Sequence, residues 1–452
     1  MKKVLISLSA VWLLASTGEA RDLEDILKEK KVIDASEANE AKAAKEAAQA
    51  STDKAVQSIP ALPGSLKMVT LSGDVRVRNE AFFREGDEGR NRNRFRLRFG
   101  AKVKPNDETE LGFRLASGNA NDPISNNQTF TDSFTSKTIN ITNAYLKLAP
   151  AKSVGLERPW LTLMGGKFDV PFYSVPSPSG FVFDRDLTPE GFYESLKLVE
   201  EKEGAFRGLA LNLGQWIFEE NSSSGEALIF AFQGVANFAL GDILWNIGVA
   251  DYNYQKASSI AVQRNRNTSL NITNTVTLSD GTVVGGRVID PTKFGPDKKG
   301  VDADGKAITI QKFNSEFNVL DFATDLMIPT GAPAWPLKVF FNYLNNTDAS
   351  GSDDQGFLAG AGIGGSKDPG DLAFSYAYAR LETDAVVSAF SDSDFGRDGG
   401  TNTKAHILQL GYVLWKNLSL VSTAWIDKPI DNVSGRSEET DYRWQADAIA
   451  KF

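Results

Sequence analysis

The segment Asp441-Tyr-Arg-Trp-Gln-Ala-Asp-Ala-Ile-Ala-Lys-Phe452 alternates with a period of two. Tyr442, Trp444, Ala446, Ala448 and Ala450 fall on one face. Arg443, Gln445, Asp447 and Lys451 fall on the other, and Ile449 is the one misfit. A strand with an apolar, aromatic-ended face and a charged face suits a wall between lipid and water.

A terminal aromatic such as Phe452 on this pattern is similar to the C-terminal assembly signal of bacterial outer-membrane barrels. The opposite end of the chain agrees with export. Lys2 and Lys3 precede an apolar run from Val4 to Leu14, and Gly18-Glu-Ala20 offers small residues for cleavage after Ala20. That is the pattern of a secretory signal peptide over 1–20, too short to span a membrane as a helix. Beyond it no stretch approaches the roughly 20 apolar residues of a transmembrane helix. Such an exported chain is released, periplasmic, or a barrel.

Composition is consistent with the last of these without singling it out. Hydrophobic residues make up 41% and mean hydropathy is −0.26, but averages cancel in a barrel because lipid-facing and lumen-facing residues alternate. The absence of cysteine leaves no disulfide framework and no thiol chemistry. A net charge of −9 argues against a general nucleic-acid binder. The 39 glycines and 10% aromatic residues suit tight turns and interface aromatics of an all-β fold.

Residues 21–64 differ in pattern from the rest of the mature chain. Asp22-Leu-Glu-Asp-Ile-Leu27 reads as a short amphipathic helix, and Asp34-Ala-Ser-Glu37 as a capping-box-like start to a second one through Ala38, Ala41, Ala44 and Ala48. That second helix fits a thin coiled coil and a solvated single helix equally well. Pro60-Ala-Leu-Pro63-Gly64 closes this periplasmic segment as a linker. From 65 onward the period is two: Val69, Leu71, Val75 and Val77 oppose Asp74, Arg76 and Arg78. Phe95, Leu97, Phe99, Ala101 and Val103 likewise oppose Arg94, Arg96, Arg98, Lys102 and Lys104. Further strands are expected near 109–117, 138–149, 160–168, 193–201, 205–218, 226–236 and 242–254, then near 313–327, 336–346, 356–366, 371–382, 404–415, 418–427 and 441–452. The total is about sixteen, an even number of the kind bacterial barrels use.

The connections carry the stronger signal. Links after odd strands are mostly long and polar (118–137, 169–192, 255–312, 383–403, 428–440), and links after even strands are mostly short. Long extracellular loops alternating with tight periplasmic turns are what an outer-membrane barrel shows, and a sandwich or propeller has no reason to alternate this way. The reading is an all-β transmembrane antiparallel barrel over 65–452 with both termini periplasmic.

Ser388–Gly400 reads SAFSDSDFGRDGG, and a later strand ends Gly411-Tyr-Val-Leu-Trp-Lys-Asn417. Together with Gly165-Gly-Lys-Phe-Asp-Val-Pro171 and Asp184-Arg-Asp-Leu-Thr-Pro-Glu-Gly191, these segments resemble the bacterial putative porin family. The pattern Leu23, Ile26-Leu27, Lys30, Val32-Ile33 with Ser36-Glu37 is similar to that family's helical preface. The resemblance implies a passive diffusion channel, with no catalytic residues and no known solute. The insert Ser258–Thr309 has no family counterpart that explains it, and its Asp280-Gly281 suggests a protruding hairpin.

Arg76, Arg78, Arg94, Arg96 and Arg98 share the polar phase of two adjacent strands. On the lipid face each would cost roughly 2–4 kcal/mol near the midplane, and five would rival a net stability of about 5–15 kcal/mol, so they face the lumen. Two readings stay open there: a solvated or loop-paired charge row, and a cationic ladder that favours anions. The third long loop carries Asp169, Asp184, Asp186 and Glu190 among Pro171, Pro176, Pro178 and Pro189. By analogy with general porins, this loop is expected to fold inward and set its acids against the arginines, giving a transverse field across a constriction. The alternative is that Asp186-Leu-Thr-Pro189 is turn chemistry. Asp392, Asp394 and Asp398 beside Gly396 and Gly399 lack the frame of a calcium loop and read as an exposed acidic tip. Lipopolysaccharide bridged by a divalent cation is one use for such a tip. His406, the single histidine, has no sequence motif supplying a serine partner and reads as structural or interfacial.

Three functions compete. A water-filled porin for small hydrophilic solutes or ions fits sixteen strands, since eight would fill with side chains. An adhesin or scaffold would use the 255–312 loop. A membrane hydrolase rests on His406 alone. The first is preferred: no enzyme, no cofactor, no metal site, with outer-membrane lipid, lipopolysaccharide and a homotrimeric assembly as partners.

Overall fold

The computed structural model describes residues 68–84, 88–220, 225–260, 270–277, 283–288, 299–301, 307–309, 313–396, 399–431 and 440–452. The signal peptide, the helical preface and the linker expected over 1–64 lie outside them, as do Asp280, Gly281 and Asp398.

Strict alternation produces strands with one wet and one dry face, and these pair in sequence order. Sixteen strands among the described residues form the barrel: β1 (Val69–Phe83), β2 (Arg90–Asn106), β3 (Thr109–Ser117), β4 (Ile139–Leu148), β5 (Leu161–Lys167), β6 (Glu190–Glu200), β7 (Phe206–Glu219) and β8 (Ala227–Leu240), then β9 (Ile243–Gln255), β10 (Phe317–Ile328), β11 (Leu337–Asn346), β12 (Gln355–Gly364), β13 (Leu372–Leu381), β14 (Thr403–Trp415), β15 (Leu418–Pro429) and β16 (Asp441–Lys451). Every neighbour pair is antiparallel. β16 returns to β1, in register from Asp74 opposite Lys451 to Phe83 opposite Tyr442. Closure leaves no sheet edge, the condition for a sheet to sit in lipid. No helix among the described residues is long and apolar enough to cross a membrane.

The phase follows the charge pattern. Leu71, Val75 and Val77 of β1 and Tyr442 and Trp444 of β16 are exposed on the outside, while Asp74, Arg76, Arg78, Glu80, Arg443, Gln445 and Asp447 are buried inside. Phe452 continues the seam. Its N–H donates to the Gly73 carbonyl at 3.1 Å, the Gly73 N–H donates to its carbonyl at 3.0 Å, and its ring stacks on Phe99. Gly73 is required there, because a Cβ would collide with the Phe452 ring.

One end of the barrel carries long links and the other short ones. Strands β2 and β3, β8 and β9, and β14 and β15 are joined by two residues each, whereas 118–138, 168–189, 256–316 and 382–402 are long. The insert between β9 and β10 holds a four-stranded antiparallel sheet of its own. Its first two strands, Leu270–Thr277 and Val283–Val288, flank the expected hairpin tip and pair with each other.

Two of the long loops turn into the barrel. Phe168, Phe172, Val175, Phe181, Val182 and Leu187 from the first are buried with Ala385, Val386, Val387, Phe390 and Phe395 from the second, against inward residues such as Trp216, Tyr252, Leu344 and Ile407. This apolar body inside a barrel is the core of the molecule; the sheet's other face meets lipid.

Candidate functional site

The wall made by β1, β2 and β16 concentrates charge because register stacks like on like. Arg76 lies opposite Arg96 and Arg78 opposite Arg94, pairings that repel unless acids intervene. Acids do. Arg78 clasps Asp447 with two hydrogen bonds of 2.7 and 2.8 Å and reaches Asp394 at 2.9 Å. Arg443 donates to Asp394 at 2.8 Å and to Glu80 at 3.1 Å. Glu80 also accepts from Arg92 and lies 3.7 Å from Arg94. Arg96 and Arg98 share Asp74 at 2.7 and 2.8 Å, and each stands 3.6 Å from Asp186. Buried charges persist only when paired and hydrogen-bonded, and this lattice meets that condition almost everywhere. Arg76 is the departure: it donates to Asn127 at 2.6 Å, and no described carboxylate lies within 4 Å of it.

The loop acids expected to face this wall are spread over four environments. Asp186 alone meets the arginines; burial pushes its carboxyl up, but Arg96, the Asn126 N–H and Arg98 prevail and hold it below the usual carboxylate range. Asp184 turns to the other loop, accepting from the N–H groups of Asp186 at 2.7 Å and Ser393 at 2.8 Å. Burial, then the nearby Asp392 and Asp186, raise its carboxyl well above the ordinary range. Asp169 forms a bidentate pair with Arg114 at 2.6 and 3.0 Å, and Glu190, the first residue of β6, pairs with Lys167 at 2.9 Å.

The two inward loops form one body. Besides the Asp184–Ser393 contact, the Asp184 N–H donates to the Phe390 carbonyl at 2.7 Å, Ser179 Oγ donates to Asp392 at 2.6 Å, and Phe181 packs on Phe395 with centroids 5.2 Å apart. Three of the segments that carry the family resemblance, 165–171, 184–191 and 388–400, therefore meet in the lumen. Asp392 and Asp394 sit inside this joint and correct the expectation of an exposed acidic tip. Asp394 is drawn inward by Arg78 and Arg443, which outweigh its burial and hold it far below the ordinary range. Burial and the neighbouring Asp394 push Asp392 up to about 6.

Across the lumen the wall of β8 to β11 is built differently. The side-chain amide of Gln233 pairs with the backbone of Tyr173 in both directions at 2.8 Å, and the Tyr173 hydroxyl donates to Asp325. Asn246 also donates to Asp325 at 3.2 Å, and Asn342 donates to Asp321. Gly248 lets the Tyr173 ring approach this wall closely, since a Cβ there would come within 2.5 Å of it. Sequence reading put Asp74 and Asp447 on the polar phase without assigning them as counter-ions, and it missed Glu80, Asp321 and Asp325. All five stand in the lumen phase of their strands, so periodicity could have found them.

His406 points outward on β14, stacked on Tyr376 and Tyr378, with its Nδ1 2.8 Å from the Tyr376 hydroxyl. This is an interfacial aromatic cluster, remote from the lumen.

A family model described as "Putative porin" matches residues 82–277 and 313–452. The gap between the two matched stretches falls within the insert. Among solved structures, the chain is similar to the high-pH structure of OprB from Pseudomonas putida, with a TM-score of 0.52 at 12% identity, over 85% of this chain and 94% of that one. It is also similar to an anion-selective porin from Comamonas acidovorans (TM-score 0.43, 12% identity, 85% and 99% covered). A trimer form of OmpT from Vibrio cholerae matches likewise (TM-score 0.43, 11% identity, 85% and 99% covered). The likeness to OprB bears on the fold alone. No curated protein matches the sequence.

Proposed function

Because this chain belongs to the porin family whose model spans most of its length and forms an outer-membrane barrel, we propose that it is a passive diffusion channel for small hydrophilic solutes or ions. The observation that carries this reading is the lumen-facing lattice of Arg76, Arg78, Arg94, Arg96 and Arg98, in which Arg96 and Arg98 each stand 3.6 Å from Asp186 of an inward loop. A barrel of this size leaves an aqueous interior, and a loop folded into it narrows the path past a charged wall. Asp186 sets the field at that wall. Asp184 joins the two loops, while Asp169 and Glu190 with their partners Arg114 and Lys167 line the approach. The anion selectivity and trimeric form named for other porins are the behaviours proposed for this one, the first in mild form because most arginines have acid partners.

In this reading residues 1–20 direct export, residues 21–64 lie in the periplasm, the long links face outward, and Phe452 is the assembly signal. Single-channel recording on purified protein in planar bilayers tests it. Stepwise conductance that scales with salt supports a channel, and a barrel that folds but never conducts refutes it. The small sheet within the insert favours a second role, surface attachment at the long-loop end; loss of attachment with unchanged conductance after removal of 261–312 would support it.

A further inference from the structure

The lattice of arginines accounts for one side of the lumen only. Between loop 168–189 and the wall of β9 to β11 lies a cavity of about 190 Å³ lined by Phe172, Tyr173, Phe183 and Tyr252, with Asp321 and Asn342 among its polar groups. Asp321 is only 8% exposed, accepts from the Asn342 side-chain amide, and has no described Lys or Arg within ion-pair distance. The other acids on this cavity are committed: Asp169 to Arg114, and Asp184 to backbone N–H groups. Arg185, also on its lining, donates to the Ser177 carbonyl.

We propose that this cavity is a subsite for a small organic cation, an alkylammonium group held by the Asp321 carboxylate among the rings of Phe172, Phe183 and Tyr252. Where the pH keeps it ionised, a buried carboxylate lacking a cationic partner is stabilised by acquiring one. Aromatic faces around it add attraction for a weakly hydrated ammonium that they do not offer to a neutral solute. The rings are held edge to face, Phe183 on Tyr252 at 5.2 Å and Phe172 on Trp216 at 5.2 Å, so the cage is preformed. A dry cavity of about 150 Å³ holds benzene, so the space admits a ligand of tetramethylammonium size. The site lies on the wall opposite the arginines, where a cation entering the lumen is least repelled. The proposal rests on the channel reading for access and physiological use, but binding itself can be measured apart from it.

The probe is tetramethylammonium, added at low salt and pH 8 to purified wild-type barrels in planar bilayers, with glycerol as the neutral comparison. Saturable block of the potassium chloride current by the cation, and none by glycerol, is expected. Asp321→Asn should raise the half-blocking concentration about tenfold. Phe183→Leu should weaken block with the charge intact, and it serves if the Asp321 variant does not fold. Glu110→Gln removes an acid on β3 that, like its partner Tyr145, is not part of the cavity lining, and should leave block within about twofold. Absence of block in the wild type, equal block by glycerol, or equal weakening by Glu110→Gln would overturn the site. Calorimetric titration of the probe into the detergent-solubilised barrel reads the same site without current. A barrel that binds the cation yet does not conduct would therefore fail the channel reading and keep the subsite.

Discussion

The two sides of the lumen hold the same inward loops by different chemistry. On the wall of β1, β2 and β16 the loops are held by ions: Asp394 between Arg78 and Arg443, and Asp186 beside Arg96 and Arg98. On the wall of β8 to β11 the attachment is by neutral donors, with Gln233 paired to the Tyr173 backbone and the Tyr173 hydroxyl on Asp325. Among the described residues, the first arrangement leaves a cation, Arg76, with no acid within 4 Å, and the second leaves an acid, Asp321, with no Lys or Arg at ion-pair distance. In the proposed channel a solute between them meets an asymmetric field. Removing a member of an ion pair strands its partner, whereas removing an amide strands only dipoles, so the walls should respond unequally to substitution.

The largest contrast concerns assembly. Deleting Phe452 removes two backbone hydrogen bonds to Gly73 and the ring contact with Phe99 at the seam of the ionic wall. Deleting 261–312 shortens a link between β9 and β10 on the opposite wall. Outer-membrane yield, read as the heat-modifiable band on a gel, should fall severalfold for the first and little for the second. Equal yields would mean that the seam has no special part in assembly.

Next in size is stability. Arg78→Leu strands Asp447, which that arginine clasps with two bonds, and should cost about 3–5 kcal/mol. Gln233→Leu leaves the Tyr173 N–H and carbonyl unpaired and should cost about 1–3 kcal/mol. Guanidinium unfolding of the detergent-solubilised barrel compares them. A larger loss for Gln233→Leu would reverse the energetic ranking of the walls.

The barrel was legible because lipid enforces a period of two on each strand. The expected strands at 109–117 and 404–415 match β3 and β14 to within a residue. β6 was expected from 193 but begins at Glu190, because Glu190 and Gly191 pair with Lys167 and Gly166, a contact that alternation does not encode. The lumen phase of the five arginines was likewise readable. Their loop partners were not: Asp394 lies 316 residues from Arg78, and loops carry no period to say which acid goes inward. For the same reason SDSDF looked like a surface tip when read alone; its burial depends on Ser179, Gly180 and Asp184 arriving from another loop.

The loop joint adds a pH dependence that distinguishes the joint from both walls. Asp392 faces Asp394, Ser179 and Arg185, and its carboxyl is raised from 3.8 to about 6, with burial the main cause. A raised carboxyl binds its proton more tightly in the closed joint, so its stabilising contribution is full below 3.8 and fades as pH rises through about 6. Asp186 and Asp394 are lowered, so theirs is full above 3.8 and is lost as pH falls below it. Asp184, raised by burial and by Asp392 and Asp186, acts in the same direction as Asp392, so the joint should be firmest at about pH 4 and loosen as pH rises. Open-channel current noise should rise from pH 5 to pH 8, and Asp392→Asn should flatten that rise. An identical profile in both proteins would remove the joint from the control of loop motion.

The smallest expected effect is on selectivity, and its size follows from how completely the ionic wall is neutralised. Arg96 and Arg98 share Asp74 and Asp186, so replacing Asp186 by Asn leaves two guanidiniums on one carboxylate and should move the reversal potential toward anions. Arg76→Gln removes the cation with no described acid within 4 Å, so it should move the potential toward cations more than Arg94→Gln, whose cation already lies 3.7 Å from Glu80. Both shifts should be modest, because opposite charges a few ångströms apart cancel at a distance. Screening confines what remains to about 8 Å at physiological salt and about 30 Å at 0.01 M, so low salt should enlarge each shift. Glycerol permeability should hardly change for Arg76→Gln and Arg94→Gln, which lie on β1 and β2, whereas Asp186→Asn removes one anchor of the inward loop 168–189. If Arg76→Gln and Asp186→Asn both leave the reversal potential unmoved at low salt, ions do not pass along this wall, and the path runs beside Asp321 instead.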